Sequence, residues 1–263
     1  MDVEEDLNRL EDWLRRAGSV VVAYSGGVDS TLVAHTAHRV LGDQALAVTL
    51  RHSLIEKNEL EEATDLAKRI GLNHLVMDLI LPESVMENPR ERCYICKKYL
   101  MGRLSAFARD SGYRVVVDGT NYDDLKDGRP GIRALKEEGI RSPLAELGIG
   151  KQRVREISRV LGLDYQKPSR PCLATRFPYG YKIKSEDLNM VASAENLLRK
   201  EGFRVIRVRH LDHTAKVEVG SDEIYKLIQE DVRNRITRGL KALGYRFVVL
   251  DLEGYKSGKM DEI

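Results

Sequence analysis

Three groups of residues in this chain have types and spacings that could do chemistry. The first is Ser25-Gly26-Gly27-Val28-Asp29-Ser30, which follows a β-branched run and precedes a stretch with helical apolar spacing. Paired glycines let the backbone turn sharply and approach an anion closely. The amides of such a loop, with those of the helix N-terminus after it, offer partial positive charge to a phosphate. Ser25 and Ser30 add hydroxyl donors, whereas Asp29 would repel phosphate and suits a bound Mg²⁺ instead. The Gly-Lys-Ser/Thr ending of a Walker loop is absent, as is the GxGxxG spacing of a dinucleotide fold. The second group is Asp118-Gly119-Thr120-Asn121, with Asp123 and Asp124 close behind, at the end of another apolar run. In an open α/β sheet, ligands sit beyond the carboxyl ends of the strands, so this loop is expected to face the first. Residues 50–53, which end a further strand and include Ser53, are expected beside the base of a bound nucleotide.

The third group is Cys93-Tyr94-Ile95-Cys96, joined by Cys172 from a proline-rich segment. A CxxC brings two sulfurs within reach of one centre, and the third must arrive from a distance along the chain. Several chemistries remain open: structural zinc, which normally takes four ligands, a redox or persulfide-forming pair without metal, or packed thiols. Three thiolates can also hold a [4Fe–4S] cluster and leave one iron open to an exogenous ligand such as hydrosulfide. The lack of a fourth cysteine favours the cluster, and Arg90, Arg92, Lys97, Lys98, Arg170 and Arg176 would favour thiolates and an anionic cluster.

The elements that must position these groups alternate. Strands are expected at 19–24, 45–50, 74–80 and 113–120, with helices at 31–41, 59–70, 96–110 and 151–161 and a polar loop at 121–142. An amphipathic N-terminal helix places Leu7, Leu10, Trp13 and Leu14 on one side. This rhythm predicts an α/β fold, a doubly wound parallel sheet, over residues 1–166. Residues 167–182 read as a rigid, Cys-containing connector, and 183–263 as a smaller C-terminal α+β domain. In that second part a helix is expected at 185–201, strands at 203–209, 214–219 and 245–250, and two helices between 222 and 243.

Composition narrows the function classes. With 43 basic and 41 acidic residues the chain carries a net charge of only +2, which argues against a nucleic-acid partner that needs a basic surface. No window approaches the roughly 20 apolar residues of a membrane helix, and the acidic start lacks a signal peptide's apolar core. A cytoplasmic protein is expected, and an odd cysteine count in a reducing compartment speaks against a disulfide framework.

The loop SGGVDS resembles the PP-loop of the ATP pyrophosphatases, the superfamily of GMP synthetase, NAD synthetase and tRNA thiolases, which split ATP into AMP and pyrophosphate. DGTN with its following acidic pair is similar to that superfamily too. Over nearly the whole chain, the segments NPRERCYICKK, PGIRALKEEGIRSPL, KPSRPCLATRFPYG and GYRFVVLDLEGYKSGKM closely resemble the LarE family of ATP-dependent sulfur transferases. The resemblance implies that ATP adenylates a carboxylate of a pyridinium mononucleotide, on the route to the nickel-pincer nucleotide. Sulfur, supplied as sulfide or by a sulfur donor, then gives a thiocarboxylate. It further implies ATP, Mg²⁺ and, in the three-cysteine branch that Cys93, Cys96 and Cys172 match, a [4Fe–4S] cluster. Cys172, Asp29 and Arg176 become the candidate catalytic residues. Ser25, Gly26, Gly27, Asp29, Ser30, Ser53, Gly119 and Thr120 are the expected nucleotide contacts. Thr175, Arg176, Glu195, Arg207 and Arg209 match substrate-contacting positions, and a homo-oligomer is implied. Asn234 stands where a single-cysteine branch carries Asp, so a divalent metal site built on that Asp is not implied here. Two other readings differ in what they require: a tRNA thiolase needs an RNA-binding surface, and a non-catalytic nucleotide-binding protein would form no AMP.

Overall fold

Four short strands pair in parallel, in the order β3-β2-β1-β4. They are β1 Val20–Ala23, β2 Ala45–Arg51, β3 His74–Asp78 and β4 Val115–Val117. The computed structural model describes residues 2–126, 130–167 and 171–256. Register is set about the central strand, with Val20 opposite Ala45 on one side and Val115 on the other. Val20, Val21 and Val22 are almost wholly buried, as strands covered on both faces must be. Because β2 lies on one side of β1 and β4 on the other, the direction of winding reverses at β1. That switch point is where an open α/β sheet opens a crevice for ligands.

In chain order the helices begin with α1 Val3–Ala17, α2 Val28–Leu41, α3 Lys57–Arg69, α4 Glu83–Met86, α5 Arg92–Asp110 and α6 Tyr122–Lys126. They continue with α7 Pro130–Glu137, α8 Pro143–Glu146, α9 Lys151–Val160, α10 Ser185–Lys200, α11 Ile224–Ile228 and α12 Glu230–Ala242. In α1 the spacing of Leu7, Leu10 and Leu14 buries one face, with Trp13 packed at its margin. Asp2 caps its first turn by accepting from the Val3 amide at 2.6 Å. Residues 121–142, expected as a loop, instead hold α6 and α7, and 127–129 lie outside the described residues. The side-chain oxygen of Asn121 accepts from the Asp123 and Asp124 amides at 3.0 and 3.1 Å, so Asn121 starts a helix. The helix expected from 96 begins at Arg92, so the CxxC lies in its first turns and not ahead of them.

The described residues form two compact units, Met1–Leu81 with Glu91–Arg170, and Pro82–Arg90 with Pro171–Ile263. The segment 82–90, which carries α4, goes with the second unit; nothing in the strand–helix rhythm signals this. Within that unit, β5 Ile206–Leu211 runs antiparallel to β6 Thr214–Val219, and β6 parallel to β7 Phe247–Leu250. Helices α10 and α12 bury Leu198, Ile236 and Leu240 against Val208 and Val217. Strand β5 starts later than the expected 203, since the Arg204 and Val205 amides donate to the Glu223 carboxylate at 2.9 and 3.1 Å and leave the ladder. Of the expected connector and C-terminal domain, residues 168–170 and 257–263 lie outside the described residues. Among the described residues no helix is long and apolar enough to cross a membrane.

Candidate active site

At the switch point of the first unit the two expected loops meet around a cavity of about 490 Å³, a size usual for a small ligand or cofactor. Ser25, Gly27, Asp29 and Ser30 line it from the end of β1, and Gly119 and Thr120 from the end of β4. Gly27 caps the N-terminus of α2, a helix of 14 residues whose first-turn amides are thereby aimed at the crevice. The loop holds itself in shape: Ser25 Oγ and Ser30 Oγ are 3.1 Å apart, and Ser30 Oγ donates to the Gly27 carbonyl at 3.2 Å.

Glycine is required at two of these positions for different reasons. Gly26 has φ +69°, and a Cβ there would stand 2.7 Å from the Ala63 Cβ. At Gly119 the obstacle is purely steric, because an added Cβ would lie 2.6 Å from the Ser30 amide nitrogen and 3.0 Å from the Asp29 carbonyl carbon. The second loop is thus pressed directly onto the first. Gly26 does not itself line the cavity, and neither does Ser53, which is exposed in the turn after β2. The neighbours Leu50, His52 and Ile55 form that wall instead.

Electrostatics inside the cavity are divided. Burial raises the Asp29 carboxyl above its ordinary 3.8, and Asp124 adds to the rise, while a hydrogen bond from Asn121 Nδ2 at 2.9 Å and the charge of Lys151 oppose it. Asp118 accepts from Thr120 Oγ1 at 2.6 Å and from Ser142 Oγ at 2.7 Å, which locks the DGT turn. Burial pushes the His52 ring down to about 4, so it is neutral near pH 7. The Leu54 amide donates to His52 Nδ1 at 3.3 Å, which leaves the neutral ring's proton on Nε2.

Several functional candidates here were not assigned to the nucleotide site from sequence. Lys97, read there as a neighbour of the cysteines, lines the cavity with its Nζ 3.6 Å from Asp118 Oδ2. Leu100 and Met101 follow on the same face of α5, and that helical spacing is the signal that could have identified it. Lys151, Arg155 and Lys167 also line the cavity. Lys151 Nζ stands 3.3 Å from Asp124 Oδ1, and its amide donates to Asp123 Oδ2 at 2.8 Å.

Mg²⁺ binds through one or two carboxylates together with the oxygens of the substrate's phosphates. Asp29, partly buried and unfavourably close in charge to Asp124, fits that role with Asp124 beside it. Cys93 and Cys96 sit one turn apart near the start of α5, the first exposed and the second half-buried, and neither is in a disulfide. Among the described residues no three His, Cys, Asp or Glu side chains are gathered as a metal site. Cysteine thiolates are the usual protein ligands of iron–sulfur clusters.

In the second unit Cys172 caps a short 3-10 turn, Leu173–Arg176, and the structure gathers the other expected residues around it. Thr175 Oγ1 donates to the Cys172 carbonyl at 2.9 Å. Arg176 is 2% exposed and grips Glu195 with two hydrogen bonds, 3.0 Å from Nε and 2.8 Å from Nη2. Its Nη1 donates to the Pro171 and Cys172 carbonyls at 2.7 and 3.1 Å. Burial alone would raise the Glu195 carboxyl, but Arg176 and Arg207 hold it below the ordinary range. Glu195 also accepts from the Val208 amide at 3.0 Å, which ties α10 to β5. Arg207 and Arg209 do share one strand face, yet Arg209 is clamped by Glu218 at 3.1 and 2.9 Å and donates to the Thr175 carbonyl at 2.6 Å. Arg207 reaches the Tyr255 hydroxyl at 3.2 Å and lies over that ring. Asn234 is exposed on α12.

A parallel sheet wound about β1, with an anion-cradling SGGVDS loop at its switch point, defines a PP-loop nucleotide-binding domain. The NAD synthase family matches residues 3–106, which include that loop. An uncharacterised protein of Synechocystis is 42% identical, over 99% of this chain and 98% of its own. The pyridinium-3,5-bisthiocarboxylic acid mononucleotide synthase of Lactiplantibacillus plantarum is 36% identical, over 92% of this chain and 89% of its own. The glutamine-hydrolysing GMP synthase of Pyrobaculum aerophilum is 27% identical, over 75% of this chain and 44% of its own. The chain belongs to the LarE family of ATP-dependent sulfur transferases, the family of the Lactiplantibacillus synthase.

Proposed function

We propose that this protein adenylates a carboxylate of a pyridinium mononucleotide with ATP and then delivers sulfur to the acyl adenylate, in nickel-pincer nucleotide biosynthesis. The observation that carries this reading is the residue next to Cys96. Lys97 lines the nucleotide cavity, and Cys93 and Cys96 lie in the same helical turns, which supports reading the thiols as partners of the ATP chemistry.

In the first step a substrate carboxylate oxygen attacks the α-phosphorus, the new P–O bond forms, and the bond to the β-phosphate oxygen breaks. The loop amides of 25–30 and the α2 N-terminus accept the departing pyrophosphate, and Lys97, Lys151 and Arg155 balance its charge. Bound Mg²⁺, held by Asp29, would neutralise phosphate oxygens. In the second step a sulfur nucleophile forms a C–S bond at the acyl carbon, and AMP leaves with its phosphate oxygen. A [4Fe–4S] cluster held by Cys93, Cys96 and Cys172 would keep a bound sulfide anionic. Arg176, whose donors are engaged by Glu195 and by the backbone at 171 and 172, serves as a positioning residue for the Cys172 turn. Sulfide or a sulfur donor is the co-substrate, and the working form is a cytoplasmic homo-oligomer.

The test separates the two steps. With pyridinium-3,5-biscarboxylic acid mononucleotide, wild type exchanges labelled pyrophosphate into ATP and forms the thiocarboxylate. Cys172→Ala retains exchange and forms no thiocarboxylate, and anaerobically purified wild type contains about four irons per chain. Loss of exchange in Cys172→Ala contradicts the division of labour.

A further inference from the structure

The nucleotide cavity does not end at its own rim. Lys151 and Arg155 line it on one side and a second depression, of about 700 Å³, on the other. That groove runs along α9, where Lys151, Arg155 and Arg159 are spaced four apart and so form one stripe. Val154, Ile157 and Ser158 occupy the buried face of the same helix, which fixes the stripe outward. Tyr165, half-buried, gives the groove an aromatic wall.

Among the described residues, two of the groove's three basic side chains have no acidic partner. Of the basic residues lining the cavity, Lys97, Lys151 and Lys167 stand 3.6, 3.3 and 3.2 Å from Asp118, Asp124 and Glu62. Arg155 has no acidic partner among the described residues, and neither has Arg159. The groove's single acid, Glu156, is engaged by Gln152 at 3.0 Å and Arg153 at 2.9 Å. Two guanidinium groups without an acidic partner among the described residues, beside an aromatic ring and next to the nucleotide cavity, are suited to bidentate capture of a phosphate.

We propose that this groove is a second phosphate subsite, in which Arg155 and Arg159 hold a phosphoryl anion while the nucleotide occupies the first cavity. The reading rests on the adenylation chemistry proposed above. Two sources carry the required chemistry: the pyrophosphate leaving the first cavity, and the phosphate of a pyridinium mononucleotide whose ring stacks on Tyr165.

A titration without turnover tests this. The first cavity is saturated with α,β-methylene-ATP and Mg²⁺, and calorimetry follows the binding of pyrophosphate in one arm and of nicotinate mononucleotide in the other. One further equivalent of at least one anion is expected to bind the wild type. Its affinity falls about tenfold in Arg159→Ala, the loss of one charge-assisted contact, and is restored in part by Arg159→Lys. The exposed control Lys241→Ala in the other unit matches wild type. Which arm responds identifies the source. No binding of either anion to the filled protein, or equal binding in wild type and Arg159→Ala, overturns the subsite. The sulfur-transfer reading fails by a separate measurement, the absence of AMP formation from ATP and the biscarboxylate substrate.

Discussion

Gly119 lies against the backbone of Ser30 so closely that a methyl group on it would come within 2.6 Å of the Ser30 amide nitrogen. That amide belongs to the first turn of α2, whose N–H groups would receive a phosphate in the proposed reaction. Gly119→Ala must therefore push the DGT turn away from the loop. Since Gly119 does not have a positive φ, the strain is entirely steric. The variant is expected to lose ATP–pyrophosphate exchange by about 10²-fold, the scale at which misplaced transition-state donors act. A Gly119→Ala enzyme with wild-type exchange would show that the two loops do not work as one site.

Asp29 is held in a cavity that disfavours its charge, with burial the larger cause and Asp124 adding to it. A carboxyl raised above its ordinary 3.8 binds its proton more readily in the folded chain than in the unfolded one. Its ionised form thus costs stability at neutral pH, a cost relieved as pH falls through the raised value. Asp29→Asn should raise the melting temperature at pH 7 and abolish Mg²⁺-dependent exchange. A variant both less stable and still active would remove Asp29 from the metal role.

His52 gives the opposite pH dependence. Its ring is pushed from 6.5 to about 4 by burial, so the folded chain keeps it neutral where the unfolded chain protonates it. Stability is intact above pH 6.5 and lost as pH falls toward 4, by at most about 3 kcal/mol at 1.36 kcal/mol per pH unit. Thermal unfolding at pH 7 and at pH 4.5 checks this. Wild type is expected to lose more stability between the two than His52→Phe, and parallel losses would mean the ring titrates normally.

Lys97 is expected to matter to the nucleotide more than to the cysteines. Lys97→Met should lower kcat/KM for ATP by about 10²-fold while iron and sulfide content stay at the wild-type level. Loss of bound iron with unchanged ATP kinetics would assign it to the thiol environment instead.

The strands and both loops of the nucleotide site were legible because their signals are local. A strand buried on both faces reads as a β-branched run, and SGGVDS carries its own turn chemistry. What stayed hidden depends on partners distant in sequence. Arg176 and Arg209 match substrate-contacting positions by resemblance, but Glu195 and Glu218 take up their guanidinium groups. Lys97 shares a face of α5 with Leu100 and Met101, a local signal masked by its place beside the CxxC. The polar stretch after Asn121 looked like a loop because its helices are short and its capping side chain doubles as a turn former.

The pair Arg176–Glu195 offers the sharpest distinction between holding a site and acting in it. Both side chains are essentially sealed from water, at 2% and 0% exposure, and their hydrogen bonds are mutual. Removing one partner leaves a buried charge without its hydrogen-bonded counter-ion, although Arg199 and Arg207 stand 3.7 and 4.0 Å from Glu195; the typical cost is up to about 3–5 kcal/mol, whereas removing both costs less than the sum. Urea unfolding of Arg176→Met, Glu195→Gln and the double variant should show that pattern. Because Arg176 Nη1 also holds the Pro171 and Cys172 carbonyls, Arg176→Met should in addition speed alkylation of Cys172 by iodoacetamide. Unchanged stability together with an unchanged alkylation rate would mean that this guanidinium does not brace the turn, and its assignment would revert to direct contact with the substrate.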